Sequence, residues 1–285
     1  MCGRVTLTTK SIADIADELA AEVAPDDAAL YRPRFNVAPS DLCLILEPGP
    51  DRRVLVPAVW GYLFPPRATT RPPTGAPATP APPSASRSLV NVRGETLASG
   101  SGFRDAFRSR RCALVTDGFF EWSPAKAPFW YHREDGRLLL LAGIAQPAAA
   151  PHAATASRAE SAASVVPRPR FAVVTTRANR LVAGVHDRMP VVLERERLDE
   201  WLGGPIASIT RLLAPAPEAT LVATAVSRRV SSVKHDDPAC LQPLSAAGAQ
   251  DAQDTQETEE TPDTQDTKHP GGTEPRPTPR QINLL

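Results

Sequence analysis

The sequence predicts a single α+β domain with a mostly antiparallel sheet or barrel core, a few helices and a disordered C-terminal tail. Three observations point there. Apolar runs of strand length outnumber helix-length amphipathic runs, and the two kinds do not alternate as a doubly wound sheet would need. Segments 64–88 and 147–169 are too rich in proline and alanine to build a core, and with the tail set aside about 197 residues remain, the size of one good domain. All four Trp, eight Phe and three Tyr fall before residue 246, so the material for a large core lies in that part.

Taken in order, the chain opens with a short extended piece. Residues 11–22 then place Ile12, Ile15, Ala16 and Leu19 on one helical face behind Ser11 as N-cap. Strand-like runs follow at 42–47, 54–60, 112–117, 138–144, 171–176, 190–193 and 220–226. A second helical stretch spans about 197–213, broken near Gly203-Gly204-Pro205. Segments 64–88 and 147–169 read as loop insertions in a domain covering 1–245. The Gln/Thr/Asp/Glu-rich tail, 246–285, has almost nothing to bury against the entropy of ordering.

Charge balances at 32 basic against 32 acidic side chains, yet residues 1–245 hold 29 basic against 24 acidic. That mild excess permits a nucleic-acid partner without arguing for one. No apolar stretch approaches 18 residues, and Met1-Cys2-Gly3-Arg4 lacks the apolar core of a signal peptide, so the expected location is cytoplasmic, with no membrane partner. The cysteines at 2, 43, 112 and 240 form no C-x-x-C pair, which fits reduced thiols better than a disulfide framework or a zinc site. Cys43 and Cys112 lie in apolar runs and read as core residues.

Chemistry could reside where polar residues interrupt strand and turn edges. Taken alone, Asn91 is more often a turn residue, Glu121 more often a solvated strand end and a single His more often a structural hydrogen-bonder, as His186 would then be. Cys2 differs in kind, because a small residue at position two permits removal of the initiator Met. An N-terminal cysteine carries an α-amine with a pKa of about 7.7–8.0 beside a thiol near about 8.5, and both are nucleophilic around neutral pH. Such an aminothiol condenses with an aldehyde to an imine and then closes to a thiazolidine, or else its thiolate attacks an acyl carbon with the amine as base. A translation-start preference is the uneventful alternative.

Eight segments in order resemble the SOS-response-associated peptidase family of abasic-site-processing proteins: Met1 to Arg4, Arg34 to Pro39, Trp60-Gly61-Tyr62, Asn91 to Thr96, Gly118 to Trp122, Thr175 to Asn179, His186 to Pro190 and Val226 to Val230. The resemblance implies a protein of the DNA-damage response whose mature N-terminal cysteine captures the ring-opened aldehyde of an abasic site in single-stranded DNA as a thiazolidine crosslink. It implies no metal or organic cofactor, a monomer, autocatalytic loss of Met1 and a lyase side reaction. On it, Cys2 is the nucleophile, Asn91, Glu121 and His186 line the sugar pocket, and Arg4, Asn36, Arg93, Thr175 and Arg188 bind DNA, the arginines through phosphates. An N-terminal-nucleophile hydrolase, peptidase or glutaminase-like, and a non-covalent single-strand-binding module stand as alternatives. Two departures are visible: the aromatic wedge expected after Tyr62 gives way to Phe64 and a proline-rich stretch, and Ser231 to Asp237 follows the family pattern only approximately.

Overall fold

The computed structural model describes residues 2–9, 11–64, 87–97, 102–148 and 167–244. Most of both insertions, and the tail from 245, lie outside the described residues. The strands are β1 (Val5–Leu7), β2 (Ala21–Val23), β3 (Arg34–Val37), β4 (Leu42–Pro48), β5 (Arg53–Trp60), β6 (Tyr62–Phe64), β7 (Arg87–Leu89) and β8 (Asn91–Arg93). They continue with β9 (Arg111–Thr116), β10 (Gly118–Trp122), β11 (Pro128–His132), β12 (Leu139–Gln146), β13 (Arg170–Arg177), β14 (Arg188–Pro190), β15 (Val192–Leu193) and β16 (Val222–Ala225). The helices are α1 (Ile12–Leu19), α2 (Pro25–Ala28), α3 (Gly94–Leu97), α4 (Arg104–Ser109), α5 (Arg180–Ala183), α6 (Leu198–Gly203) and α7 (Ile206–Ile209).

Strands β13, β12, β9, β4 and β5 pair in that order, and a short parallel pairing of Phe171 with Trp60 returns β13 to β5 and closes the ring. The α+β class with a mostly antiparallel barrel is therefore what the chain adopts. Among the described residues parallel pairing is confined to β5–β13, β8–β13 and β2–β5. Side chains alternate along the barrel strands between two apolar clusters. Leu44, Leu46, Ala113, Val115, Leu140 and Ala142 meet Ile15 and Leu19 of α1, Phe107 of α4 and Trp201 of α6. Their neighbours Cys43, Ile45, Cys112, Leu114, Leu139 and Leu141 meet Val5, Phe119 and Tyr131 of a second sheet, ordered β16-β11-β10-β1-β3. Burial on both faces explains why these strands read as unbroken apolar runs.

Several elements differ from expectation for local reasons. Helix α1 has Ser11 as N-cap, with its side chain accepting from the Ala13 N–H, but stops at Ala20 in the left-handed conformation. Residues 21–23 leave it to pair with β5, so tertiary pairing overrides helical propensity there. The run 190–193 is cut at Val191, whose flanks join β13 and β12 respectively. The stretch 197–213 is two short α-helices between 3₁₀ turns, parted where Gly204 N–H caps Glu200 O at 2.8 Å. Residues 218–220 form a 3₁₀ turn ahead of β16.

Gly61, at φ +150°, turns the chain from β5 into β6, where a Cβ would lie 2.5 Å from Ser88 Oγ. Among the described residues no helix is long and apolar enough to cross a membrane.

Candidate active site around Cys2

Three chain crossings converge on the start of the chain. Strand β1 runs antiparallel to β10 with Val5 opposite Phe119, and Phe120 N–H donates to Arg4 O at 3.0 Å, so β10 carries Glu121 back past Cys2. Gly118 opens that strand without a side chain because the Trp130 indole occupies the space a Cβ would need. Strand β8 lies parallel to β13, and from it Asn91 Nδ2 donates to Cys2 O at 2.6 Å. Asn179 caps α5 by accepting from Val182 N–H, and His186 follows that helix with its own N–H bonded to Val182 O.

Burial sets the electrostatics. Cys2 is fully buried, and desolvation, then the Glu121 charge, push its thiol well above the ordinary range. The expectation of a thiol ionising near its usual value is thereby corrected. Glu121 is 3% exposed, not a solvated strand end, and desolvation raises its pKa to about 7 against the pull of the charged amino terminus. Desolvation and that same terminal charge hold His186 below its usual value. The terminal charge also acts on Cys2, so Cys2, Glu121 and His186 share one electrostatic neighbourhood at the chain start, with Asn91 bonded into it.

His186 Nδ1 accepts the Arg188 N–H at 2.9 Å and stands 3.0 Å from Asp187 Oδ1. The first contact suits the neutral ring and the second the protonated ring, so the imidazole has a partner in either state. Asn91 Oδ1 is buried without a hydrogen-bond partner among the described residues, an acceptor suited to a substrate hydroxyl.

The residues expected to bind DNA are differently disposed. Arg4 gives one guanidinium nitrogen to Asn36 Oδ1 at 2.6 Å and Val230 O at 2.8 Å, and lies 5.6 Å from the centre of the Trp122 ring. Asn36 is buried and donates to the carbonyls of Val230, Ser232 and His235. Arg188 makes a two-pronged pair with Glu95, at 2.6 and 2.9 Å, and donates to Thr175 O. That pair holds Glu95 down at about 2. Thr175 is buried, its hydroxyl directed to Val92 O. Arg93 is exposed and makes no ion pair with the described residues. Phe64 packs on Phe103 with ring centres 5.2 Å apart, so its ring serves the core.

Sequence reasoning missed Asp236, which bonds the Arg34 guanidinium and accepts from Phe35 N–H and Asn36 N–H, locking the segment after residue 230 against β3. An Asp in the polar run Lys234-His235-Asp236-Asp237 carries no periodic signal that could have announced this. Among the described residues no group of three or more His, Cys, Asp or Glu could hold a metal ion, and all four thiols are free. A cavity of about 340 Å³ lined by Tyr31, Arg34, Asp41 and Cys43 includes none of the four candidate residues.

Residues 1–233 match the family described as SOS response associated peptidase (SRAP). The abasic site processing protein YedK of Escherichia coli is 28% identical over 254 residues, covering 86% of this chain and 100% of that protein. YoqW of Bacillus subtilis, also named an abasic site processing protein, is 28% identical over 250 residues, covering 85% of this chain and 99% of its own length. A crystal structure of a Bacteroides thetaiotaomicron protein superposes with a TM-score of 0.65 at 19% identity, covering 86% of this chain and 100% of that one, which shows a shared fold.

Proposed function

The chain belongs to the SOS response-associated peptidase family, and from that premise we propose that it processes abasic sites in single-stranded DNA, capturing them covalently through Cys2 after residue 1 is removed. The observation that carries this reading is the convergence of Cys2, Asn91, Glu121 and His186 on the amino terminus.

In the proposed reaction the protonated form of Glu121, which its raised pKa of about 7 keeps well populated near neutral pH, gives its proton to the ring oxygen of the closed sugar while the C1′ hydroxyl passes one to His186, yielding the aldehyde. The freed α-amine of Cys2 adds to C1′, and loss of one water leaves an imine. The buried thiol then adds through sulfur to C1′, its proton passing to the Glu121 carboxylate while the imine nitrogen takes the sugar proton held by His186, which restores both groups and closes the thiazolidine. Because burial keeps the thiol protonated, the amine attacks first, and this order fits an aldehyde better than the thiolate-first attack of a hydrolase. His186 thus carries the sugar proton from ring opening to the imine stage, and Asn91 holds the Cys2 carbonyl so that amine and thiol face one carbon. From the same imine, loss of a C2′ proton would expel the 3′ phosphate, so ring closure by sulfur competes with a lyase outcome.

The test is a denaturing gel after incubation with single-stranded oligonucleotides with and without one abasic site, beside intact-mass analysis of the protein. A heat-stable adduct only with the abasic strand is expected, on protein lacking Met1, and Cys2→Ser should abolish it while borohydride still traps an imine. An undiminished stable adduct from Cys2→Ser would rule the mechanism out.

A further inference from the structure

The Tyr131 phenol is a polar group in an apolar setting. Strands β10 and β11 pair with Phe119 opposite Tyr131 and Glu121 opposite Phe129. The pleat therefore puts Tyr131 on the Glu121 face, one diagonal step away, a separation that long side chains span. Tyr131 is fully buried, stacks on Phe119 with ring centres 5.2 Å apart, and belongs to the apolar cluster that contains Cys2 and Trp60. Its hydroxyl has no hydrogen-bond partner among the described residues. Phenylalanine would fill the same space without a buried hydroxyl to satisfy, so packing alone does not account for the oxygen.

We propose that Tyr131 is a positioning residue for Glu121, its O–H turning to donate to the Glu121 carboxylate when that carboxyl has given up its proton. This rests on the reading of Glu121 as the acid–base group. Burial first, then the Glu121 charge, push the phenol's own pKa upward, so it keeps its proton and acts only as a donor. The other groups acting on Glu121 are the amino terminus and Asp187, and Glu121 acts in turn on Cys2. The amino terminus favours the ionised carboxylate while Asp187 opposes it. Tyr131 adds a neutral donor whose effect is confined to the carboxylate, and it leaves the net charge around the aminothiol unchanged.

The test titrates Glu121 in DNA-free protein by carboxyl ¹³C NMR, with Glu121→Gln assigning the resonance. Tyr131→Phe should raise the Glu121 pKa by on the order of one unit, since the ionised form loses a charge-assisted hydrogen bond. Replacing the tyrosines by fluorotyrosine, a stronger donor, should move it the opposite way and needs no change of side-chain shape. An unmoved Glu121 pKa in both proteins overturns the proposal. Where the protein crosslinks abasic DNA, the limb of the pH–rate profile that Glu121→Gln removes should shift upward in Tyr131→Phe by the same amount. A limb that Tyr131→Phe leaves in place overturns the Tyr131 role while leaving the abasic-site reading intact. An NMR shift in protein that forms no crosslink upholds the Tyr131–Glu121 link and sinks the abasic-site reading instead.

Discussion

Glu121 couples the chemistry of the site to the stability of the fold. Its carboxyl titrates near 7 when folded against about 4.5 ordinarily, so between those values the unfolded chain releases a proton that the folded chain keeps. Stability from this group is unaffected below that window, falls as pH rises through it and levels off above. Glu121→Gln lacks the effect, so its melting temperature relative to the parent should be more favourable at pH 8 than at pH 4; an equal offset at both would mean that Glu121 is not held protonated. In the proposed reaction Asn91 acts by geometry instead. Asn91→Ala removes the 2.6 Å bond to the Cys2 carbonyl and should slow capture about 10–100-fold with DNA affinity little changed, read from single-turnover crosslinking beside binding of an unreactive strand.

At the scale of elements, Arg111 holds helices to the barrel. It opens β9, is 3% exposed, and donates to Phe107 O and Arg108 O in the last turn of α4, to Trp201 O in α6 and to Gly204 O beyond it. Carbonyls at helix C-termini lack intrahelical donors, and the guanidinium supplies them together with a charge that suits the helix dipoles. Arg111→Met keeps much of the apolar stem but strands those carbonyls, and should lower unfolding free energy by about 3 kcal/mol in urea titration. A loss below about 0.5 kcal/mol would show that the helices dock without it. Asn36 and Asp236 make the analogous join between β3 and the segment after residue 230, which is why a residue expected at the DNA is found bonding backbone carbonyls.

Across the whole molecule, the proposed hold on DNA depends on the balance of free and neutralised charge. Three phosphate-binding arginines would give log K a slope of about −2 against log salt on a single strand. Arg188 already faces Glu95, and Arg4 is spread over Asn36, Val230 and Trp122, whereas Arg93 is exposed. The slope for an unreactive strand should therefore be shallower than about −2, with Arg93→Ala reducing it by about 0.7 and Arg188→Ala by clearly less. Equal reductions from the two variants, measured by fluorescence anisotropy across a salt series, would show that the Glu95 pair opens on DNA.

The sequence by itself determined the class of the fold, the long strands and the identity of Cys2 as an unusual residue. Strands such as β4, β9 and β12 are buried on both faces and so announce themselves as apolar runs, and Ser11 marks a helix start by its own side-chain chemistry. Strands of three residues, β1, β2, β6, β7, β8 and β14 among them, are too short to carry a period, and only their partners reveal them. The ordered motifs named the family and brought Asn91, Glu121 and His186 forward. Residue type could not say that Glu121 is buried, that Arg188 is already paired, or that Tyr131 shares a sheet face with Glu121. Those properties belong to neighbours far apart in the chain: Asn91 meets Cys2 across 89 residues, and Arg188 meets Glu95 across 93. A pKa or a free charge is set by the groups around it, and only the pairing register of the folded sheets decides which groups those are.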